Sequence, residues 1–264
     1  QIAAYLSSQA TNPGDWRAWA PHIWFECFGG EGAVSCPEEQ IILSDGVNQS
    51  FTYEAHDEAG NTATVTVSGL NIDRTPPQLA SNLPETQAFC SGATLPLDFS
   101  VSDALSGLAA STVTFNGETV LAGATAPLRA GTNTLTMDAQ DIAGNRTVQE
   151  AVAQVNYALT PDFPPEGQPV DPREPLPFHF TIPDACAGDG YYRGAVGELW
   201  FTGPDGAEIP AQWADGRPGN RFEVDPFQGN YTFNADVSRL APGLWTARVH
   251  LDDGNNYTTT FILP

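Results

Sequence analysis

The chain has 264 residues, with 32 Asp and Glu against 10 Arg, no lysine, and a formal charge of −22. A surface this acidic repels nucleic-acid phosphates and anionic lipid, and no run approaches the ~20 apolar residues of a membrane span. Hydrophobic residues at 41% and aromatics at 10% suffice for packed cores, while 22 prolines, 25 glycines and the lack of helical periodicity point to short strands joined by turns.

The expected class is therefore all-β, built of sandwiches. Four cysteines, none in a C-x-x-C pair, fit disulfides in an oxidising compartment, outside the cell or on its surface. No segment has the basic start and apolar core of a signal peptide, so Gln1 reads as a mature or trimmed start.

The first module is expected over 1–73. Trp16 and the strand His22–Cys27 open it, with Trp16 and Trp24 as core candidates because aromatics bury the most area in a small sandwich. Cys27 and Cys36 flank the glycine-rich loop Phe28–Ser35, and a disulfide there would contribute roughly 2–3 kcal/mol in the chain-entropy picture. Phe51, Tyr53 and Ala55, then Ala63, Val65 and Val67, alternate with polar residues as half-buried strands do. Between them Asp57–Asn61 (DEAGN) supplies a hairpin turn: the Asp carboxylate accepts from backbone N–H groups, and Gly and Asn tolerate positive φ. Pro76-Pro77 then ends pairing and stiffens the exit.

The second module, 74–156, repeats this plan. Leu95–Val101 and Ser111–Phe115 read as strands separated by the loop Ser102–Gly107 (SDALSG). Thr132–Asn145 repeats the strand and the D-x-A-G-N turn, with 84 residues from Asp57 to Asp141. That period fits one sandwich per repeat rather than a solenoid. The third module, 157–264, begins with the linker Thr160–Pro175, whose six prolines make it extended and semi-rigid. The strand Pro175–Ile182 follows, and a last hairpin, Trp245–Leu263, turns around Asp252-Asp253-Gly254-Asn255.

Trp16, Phe25–Cys27, Ser35-Cys36, Asp45–Ser50, Ala55–Asn61 and Asn71–Pro77 (NIDRTPP) resemble the tandem Ig-like repeats of bacterial secreted proteins. Pro177-Phe178-His179-Phe180, Gly188–Phe201, Asn230–Phe233 and Val249–Phe261 resemble the PxKF domain that closes such arrays, with His179 in the lysine position. The resemblance implies three tandem Ig-like β-sandwiches in a rod. Module one carries Gly29–Gly32 where that family has an Asp and a Ser-Gly between its cysteines, and Leu244 stands near the place of the usual partner of Cys186.

In that topology Cys90 falls in the A–B turn of module two and Cys186 in the B–C loop of module three, which implies an inter-module disulfide; the alternative is two buried free thiols. The same topology gathers Asp73, Asp103, Asp141 and Asn145 at the first junction, and Asp162, Asp184, Asp189, Asp252 and Asp253 at the second. Such oxygens suit Ca²⁺; the alternative is that they cap their own turns.

The four histidines lack zinc spacing, and no nucleophile elbow, P-loop or dinucleotide motif is present, so no enzyme is expected. Trp200 and Trp245 are expected in the core. Trp213, in a loop, is the residue to test for glycan stacking, against a packing role. The reading is a non-catalytic extracellular stalk, adhesin segment, or filament or layer subunit. Its partners would be protein or glycan on a surface, or copies of itself through edge strands, with Gln1–Ser8 as a candidate donated strand. The alternative is a carbohydrate-binding accessory region of a larger secreted enzyme.

Overall fold

A computed structural model describes residues 1–7 and 12–264, and none of these residues is helical. Packing divides the chain into two compact units. The first comprises residues 1–82, 98–122 and 136–150; the second comprises 83–97, 123–135 and 151–264. The expected middle module, 74–156, thus contributes to both.

The N-terminal strands of the first unit are β1 (Ile2–Leu6), β2 (Trp16–Arg17), β3 (His22–Cys27), β4 (Val34–Ser35), β5 (Gln40–Ile41), β6 (Gly46–Asp57) and β7 (Thr62–Ile72). They form two sheets, β1-β3-β5 and β2-β7-β6-β4. Buried Ile23, Ile42, Leu70 and Ile72 fill the space between them, with Leu6, Phe25, Phe51 and Tyr53 packed around. The period-two alternation of β3 decides which aromatics go inside: Ile23 and Phe25 face the core, and Trp24 faces out. Trp16 is buried as expected, but Trp24 is 40% exposed, which corrects its placement as a core residue. Gln1–Ser8 is corrected too. β1 pairs antiparallel with β3 of its own sandwich, Ile2 opposite Cys27 and Leu6 opposite Ile23, so Ile2–Leu6 is not free to be donated. Ser8 lies outside the described residues.

The middle strands are β8 (Gln78–Ser81), β9 (Thr86–Ala88), β10 (Thr94–Pro96), β11 (Phe99–Ser102), β12 (Leu108–Phe115), β13 (Glu118–Thr119), β14 (Thr125–Pro127), β15 (Gly131–Asp141) and β16 (Arg146–Asn156). In the first unit β8 pairs with β11 and β12 with β13, beside the turn end of the β15–β16 hairpin. In the second unit β10 pairs with β14, and β9 pairs in parallel with the open end of β16.

The second unit continues through β17 (Thr160–Asp162), β18 (Gln168–Pro169), β19 (Leu176–Thr181), β20 (Gly197–Thr202), β21 (Glu208–Pro210), β22 (Glu223–Val224), β23 (Asn230–Ala235), β24 (Gly243–Leu251) and β25 (Asn256–Leu263). These make a sandwich of two sheets, β17-β19-β23-β22 and β18-β25-β24-β20-β21. Alternate residues point inward. Phe178, Phe180, Tyr231 and Phe233 from one sheet meet Leu199, Phe201, Trp245, Val249 and Phe261 from the other. Each such side chain contributes roughly 1.5–3 kcal/mol on burial.

One connection recurs three times. The entering segment pairs antiparallel with the second long strand, then crosses to the other sheet and runs parallel to the last. It does so as β1–β3 and β2–β7, as β8–β11 and β9–β16, and as β17–β19 and β18–β25. This is a sandwich of Ig-like type, and the proline-rich segment Pro164–Pro169 provides the third crossing.

Two disulfides are present. Cys27–Cys36 spans 9 residues with Cα atoms 5.9 Å apart, and Cys90–Cys186 spans 96 residues with Cα atoms 5.4 Å apart. Loop-closure entropy grows with loop length, so replacing Cys90 and Cys186 by Ser together should cost about 4–5 kcal/mol in denaturant unfolding. The Cys27, Cys36 double replacement should cost about 2–3 kcal/mol.

Candidate functional site at the turns and joints

Four carboxylates are buried among the described residues: Asp73, Asp141, Asp184 and Asp253, each at most 1% exposed. Desolvating a carboxylate costs several kcal/mol unless hydrogen bonds replace the water. No ion pair supplies that replacement here. Backbone N–H groups do.

In the first unit, Asp141 Oδ1 accepts from the N–H groups of Gly144 (2.7 Å) and Asn145 (2.8 Å), and Oδ2 accepts from Asn145 Nδ2 (2.7 Å). Gly144 sits at φ 104°, a conformation that explains its place in the turn. The Asn145 amide also donates to the Asp73 carbonyl at 2.8 Å, tying the hairpin turn to the segment that leaves β7. Asp73 in turn accepts from Ser106 N–H (2.9 Å) and Thr75 N–H (3.1 Å). Asp103 Oδ1 caps its own loop through Leu105 N–H (3.1 Å) and Gly107 N–H (2.6 Å). Carboxylate oxygens of Asp73, Asp103 and Asp141 lie within 4.8 Å of one another. The structure therefore brings together all four residues expected at this junction. Ca²⁺ takes six to eight oxygens, whereas both oxygens of Asp73 and of Asp141 are already occupied by N–H donors. The donor set fits turn capping better than a cation cage.

The same D-x-A-G-N turn in the N-terminal sandwich is closed differently. Asp57 accepts from the N–H groups of Ala59 and Asn61, from Asn61 Nδ2, and from Glu31 N–H of the glycine loop. The Asn61 side chain, then the Glu31 and Asn61 N–H groups, hold the Asp57 carboxyl down at about 2. This Asp is solvated, and its Asn has no linker carbonyl to reach.

In the second unit the five expected residues take separate partners. Asp253 Oδ2 accepts from Tyr157 N–H at 2.8 Å, and its carbonyl accepts from Gln154 Nε2 at 2.9 Å. Asn255 Nδ2 donates to Asp253 Oδ2 (2.9 Å) and to Asn156 Oδ1 (3.0 Å). Asp252 accepts from Val196 N–H, and Asp189 pairs with Arg193. Asp162 lies opposite His179 at the rim of a cleft of about 400 Å³. Among the described residues no convergent group of these five forms, which corrects the expectation for this junction: their loops are bonded to different segments.

Asp184 stands instead beside the disulfide. It accepts from Ser91 N–H (3.2 Å) and Cys186 N–H (3.0 Å), so one carboxylate holds the neighbour of Cys90 and Cys186 itself. Burial raises its pKa, but hydrogen bonds from Ser91, Cys186 and Ala187 outweigh that and hold the carboxyl below its ordinary range.

Trp213 is 6% exposed, stacks on Phe233 with ring centroids 4.1 Å apart, and is capped by the Arg217 guanidinium at 4.1 Å. It is part of the core rather than a platform. Trp245 is buried and donates to the Ala241 carbonyl, whereas Trp200 is half-buried beneath Arg248. An exposed aromatic pair lies elsewhere: Tyr5 and Trp24 are cross-strand partners on β1 and β3. Strict alternation along His22–Cys27 was the signal that placed Trp24 outside.

No protein-family model matches the chain, and no curated protein matches it. Solved structures that resemble it include tandem domain arrays. Titin domains I67–I69 (an E-to-A mutated variant) are 10% identical over all of this chain and 98% of that one, with a TM-score of 0.29. Protocadherin gamma B2 extracellular cadherin domains 3–6 are 14% identical over all of this chain and 77% of that one, TM-score 0.31. A tetra-tandem repeat in the extending region of a large adhesion protein is 17% identical over 99% of this chain and 73% of that one, TM-score 0.28. Identities and scores of this size say nothing of a site, so the functional reading rests on the chain's own residues.

Asp141→Ala removes the carboxylate that three part-buried N–H groups share and should destabilise the chain by about 1–3 kcal/mol in denaturant unfolding. Asp57→Ala, at the solvated equivalent turn, should cost less because water replaces the carboxylate. The folded pKa of Asp184 lies below its unfolded value. Its contribution is therefore complete above the ordinary Asp range, near about 3.9, and is lost as pH falls through the lower folded value. Asp184→Asn should flatten that acid limb in melting curves recorded against pH.

Proposed function

We propose that the chain is a non-catalytic, extracellular structural segment. It is a stalk, an adhesin segment, or a filament or layer subunit, built of tandem Ig-like modules of the bacterial type and closed by a PxKF-like module. The observation that carries this reading is the Cys90–Cys186 bond together with Asp184. A turn of the middle strands is joined to a loop of the C-terminal sandwich by a covalent bond. One buried carboxylate then fixes the backbone on both sides of it. Cysteine pairs of this kind persist in oxidising compartments, which supports a location outside the cell.

The other turns work to the same end. Asn145 and Asp253 each bind backbone of the segment that enters the next set of strands. The polar groups that an enzyme would leave poised are here consumed by backbone donors, which supports a mechanical role rather than a catalytic one. Partners on a surface, whether protein or glycan, fit a chain whose charge turns away nucleic acid and anionic lipid. Open strand edges fit association with further copies: among the described residues β11 pairs on one side only, with β8.

Single-molecule pulling from both ends tests the mechanical reading. The oxidised chain should hide the 96-residue loop between Cys90 and Cys186. Reduction should release about 300 Å of additional contour length at ~3.3 Å per residue and lower the force of the first event. Coincident oxidised and reduced traces would sink the proposal.

A further inference from the structure

The outer face of the sheet β1-β3-β5 departs from what a sandwich needs. Its inner residues, Leu6, Ile23 and Phe25, already complete the core. An outer face with nothing to bind is ordinarily polar. Here Tyr5 and Trp24 are each 40% exposed, Ile41 is 51% exposed opposite His22, and Phe28, next on the same side of the strand, is 49% exposed.

The two rings are not placed at random. Tyr5 and Trp24 are direct cross-strand partners, with centroids 5.9 Å apart and planes within 16° of parallel. The rigid register of β1 on β3 holds the two half-exposed rings without ordering a loop, so little conformational entropy remains to be lost on binding. Polar groups border the rings. Tyr5 Oη donates to Glu26 Oε2 at 3.1 Å, and His22 Nδ1 lies 2.6 Å from Glu39 Oε1. Each of these carboxylates is an acceptor with lone pairs to spare.

We propose that this face is a carbohydrate-binding platform for a neutral polysaccharide, stacking sugar rings on Tyr5 and Trp24 and accepting sugar hydroxyls at Glu26 and Glu39. Pyranose rings carry a C–H face that suits an aromatic face and a rim of hydroxyl donors that suits carboxylate acceptors. Tyr and Trp join apolar area to a polar edge in the way such an amphipathic ligand requires. Charge selects among occupants. The rim is acidic on a chain of −22, so a second copy, a uronic-acid polymer or a phosphate-bearing chain meets like charge, while a neutral glycan does not. The platform is independent of the mechanical reading above: one can fail while the other stands.

Affinity electrophoresis tests it, with native gels containing in turn soluble mixed-linkage β-glucan, hydroxyethyl cellulose, galactomannan, arabinoxylan, dextran and, as the anionic control, polygalacturonate. The intact chain should be retarded in at least one neutral gel and not by polygalacturonate. Trp24→Ala and Tyr5→Ala should each weaken that retardation at least tenfold, while Trp24→Tyr, which keeps a ring, stays within a few-fold. Trp200→Ala, on the C-terminal sandwich, should bind as the parent does. Glu26→Gln leaves both rings in place and should weaken binding several-fold, which separates recognition from any loss of fold in the Ala variants. No retardation in any neutral gel overturns the proposal, as does equal retardation of Trp24→Ala. Retardation by polygalacturonate alone, or capture by a proline-rich peptide in place of every polysaccharide, also overturns it.

Discussion

Buried carboxylates that have no ion-pair partner are the constraint on which the structure turns. Asp73, Asp141, Asp184 and Asp253 are withdrawn from water, and the chain has ten arginines and no lysine to set against 32 acidic residues. The arginine ion pairs among the described residues lie at the surface, where such pairs contribute little. The buried carboxylates are satisfied by oriented backbone N–H groups instead, bonds that are charge-assisted and geometrically strict. Each needs a turn of defined shape to aim its donors, and each turn needs the carboxylate to close it. The loops at both joints are therefore determinate, and no helix among the described residues braces them.

The two terminal sandwiches solve the problem of a small core differently. The C-terminal one is filled by aromatic rings in mutual contact, Phe180 on Tyr231 and Phe178 near Phe201. Its one cysteine, Cys186, is bonded outside the sandwich, to Cys90. The N-terminal one has a smaller buried cluster, led by Ile23 and Ile72, and closes its glycine-rich loop covalently through Cys27 and Cys36. That agrees with the general rule that small cores lean on cross-links. Ile23 and Phe25 fill the inner face of β3, and its largest aromatic, Trp24, faces solvent.

Asp57 and Asp141 show how context changes one motif. Both lie in the same five-residue turn and both accept from the Asn that ends it. Asn145 reaches a linker carbonyl and Asp141 is buried. Asp57 is solvated and recruits Glu31 from the neighbouring loop. The same D-x-A-G-N motif, with Glu58 in one turn and Ile142 in the other, thus ties a linker in one place and a neighbouring loop in the other.

Much of this was legible in the sequence. Period-two alternation and the D-x-A-G-N turns determined the hairpins β6–β7 and β15–β16, because side-chain direction along a strand and turn chemistry are local properties. The same alternation carried the sign of Trp24, although its size argued for the core. Both cysteine pairings follow the expectation drawn from the sequence and its Ig-like resemblance, whereas the tertiary structure alone decided which aspartates lose their water, and that Trp213 is covered while Tyr5 and Trp24 are not. Those outcomes depend on which loop of one segment lies against which strand of another. Such contacts are set by packing between residues as far apart as Tyr157 and Asp253, and no local pattern records them.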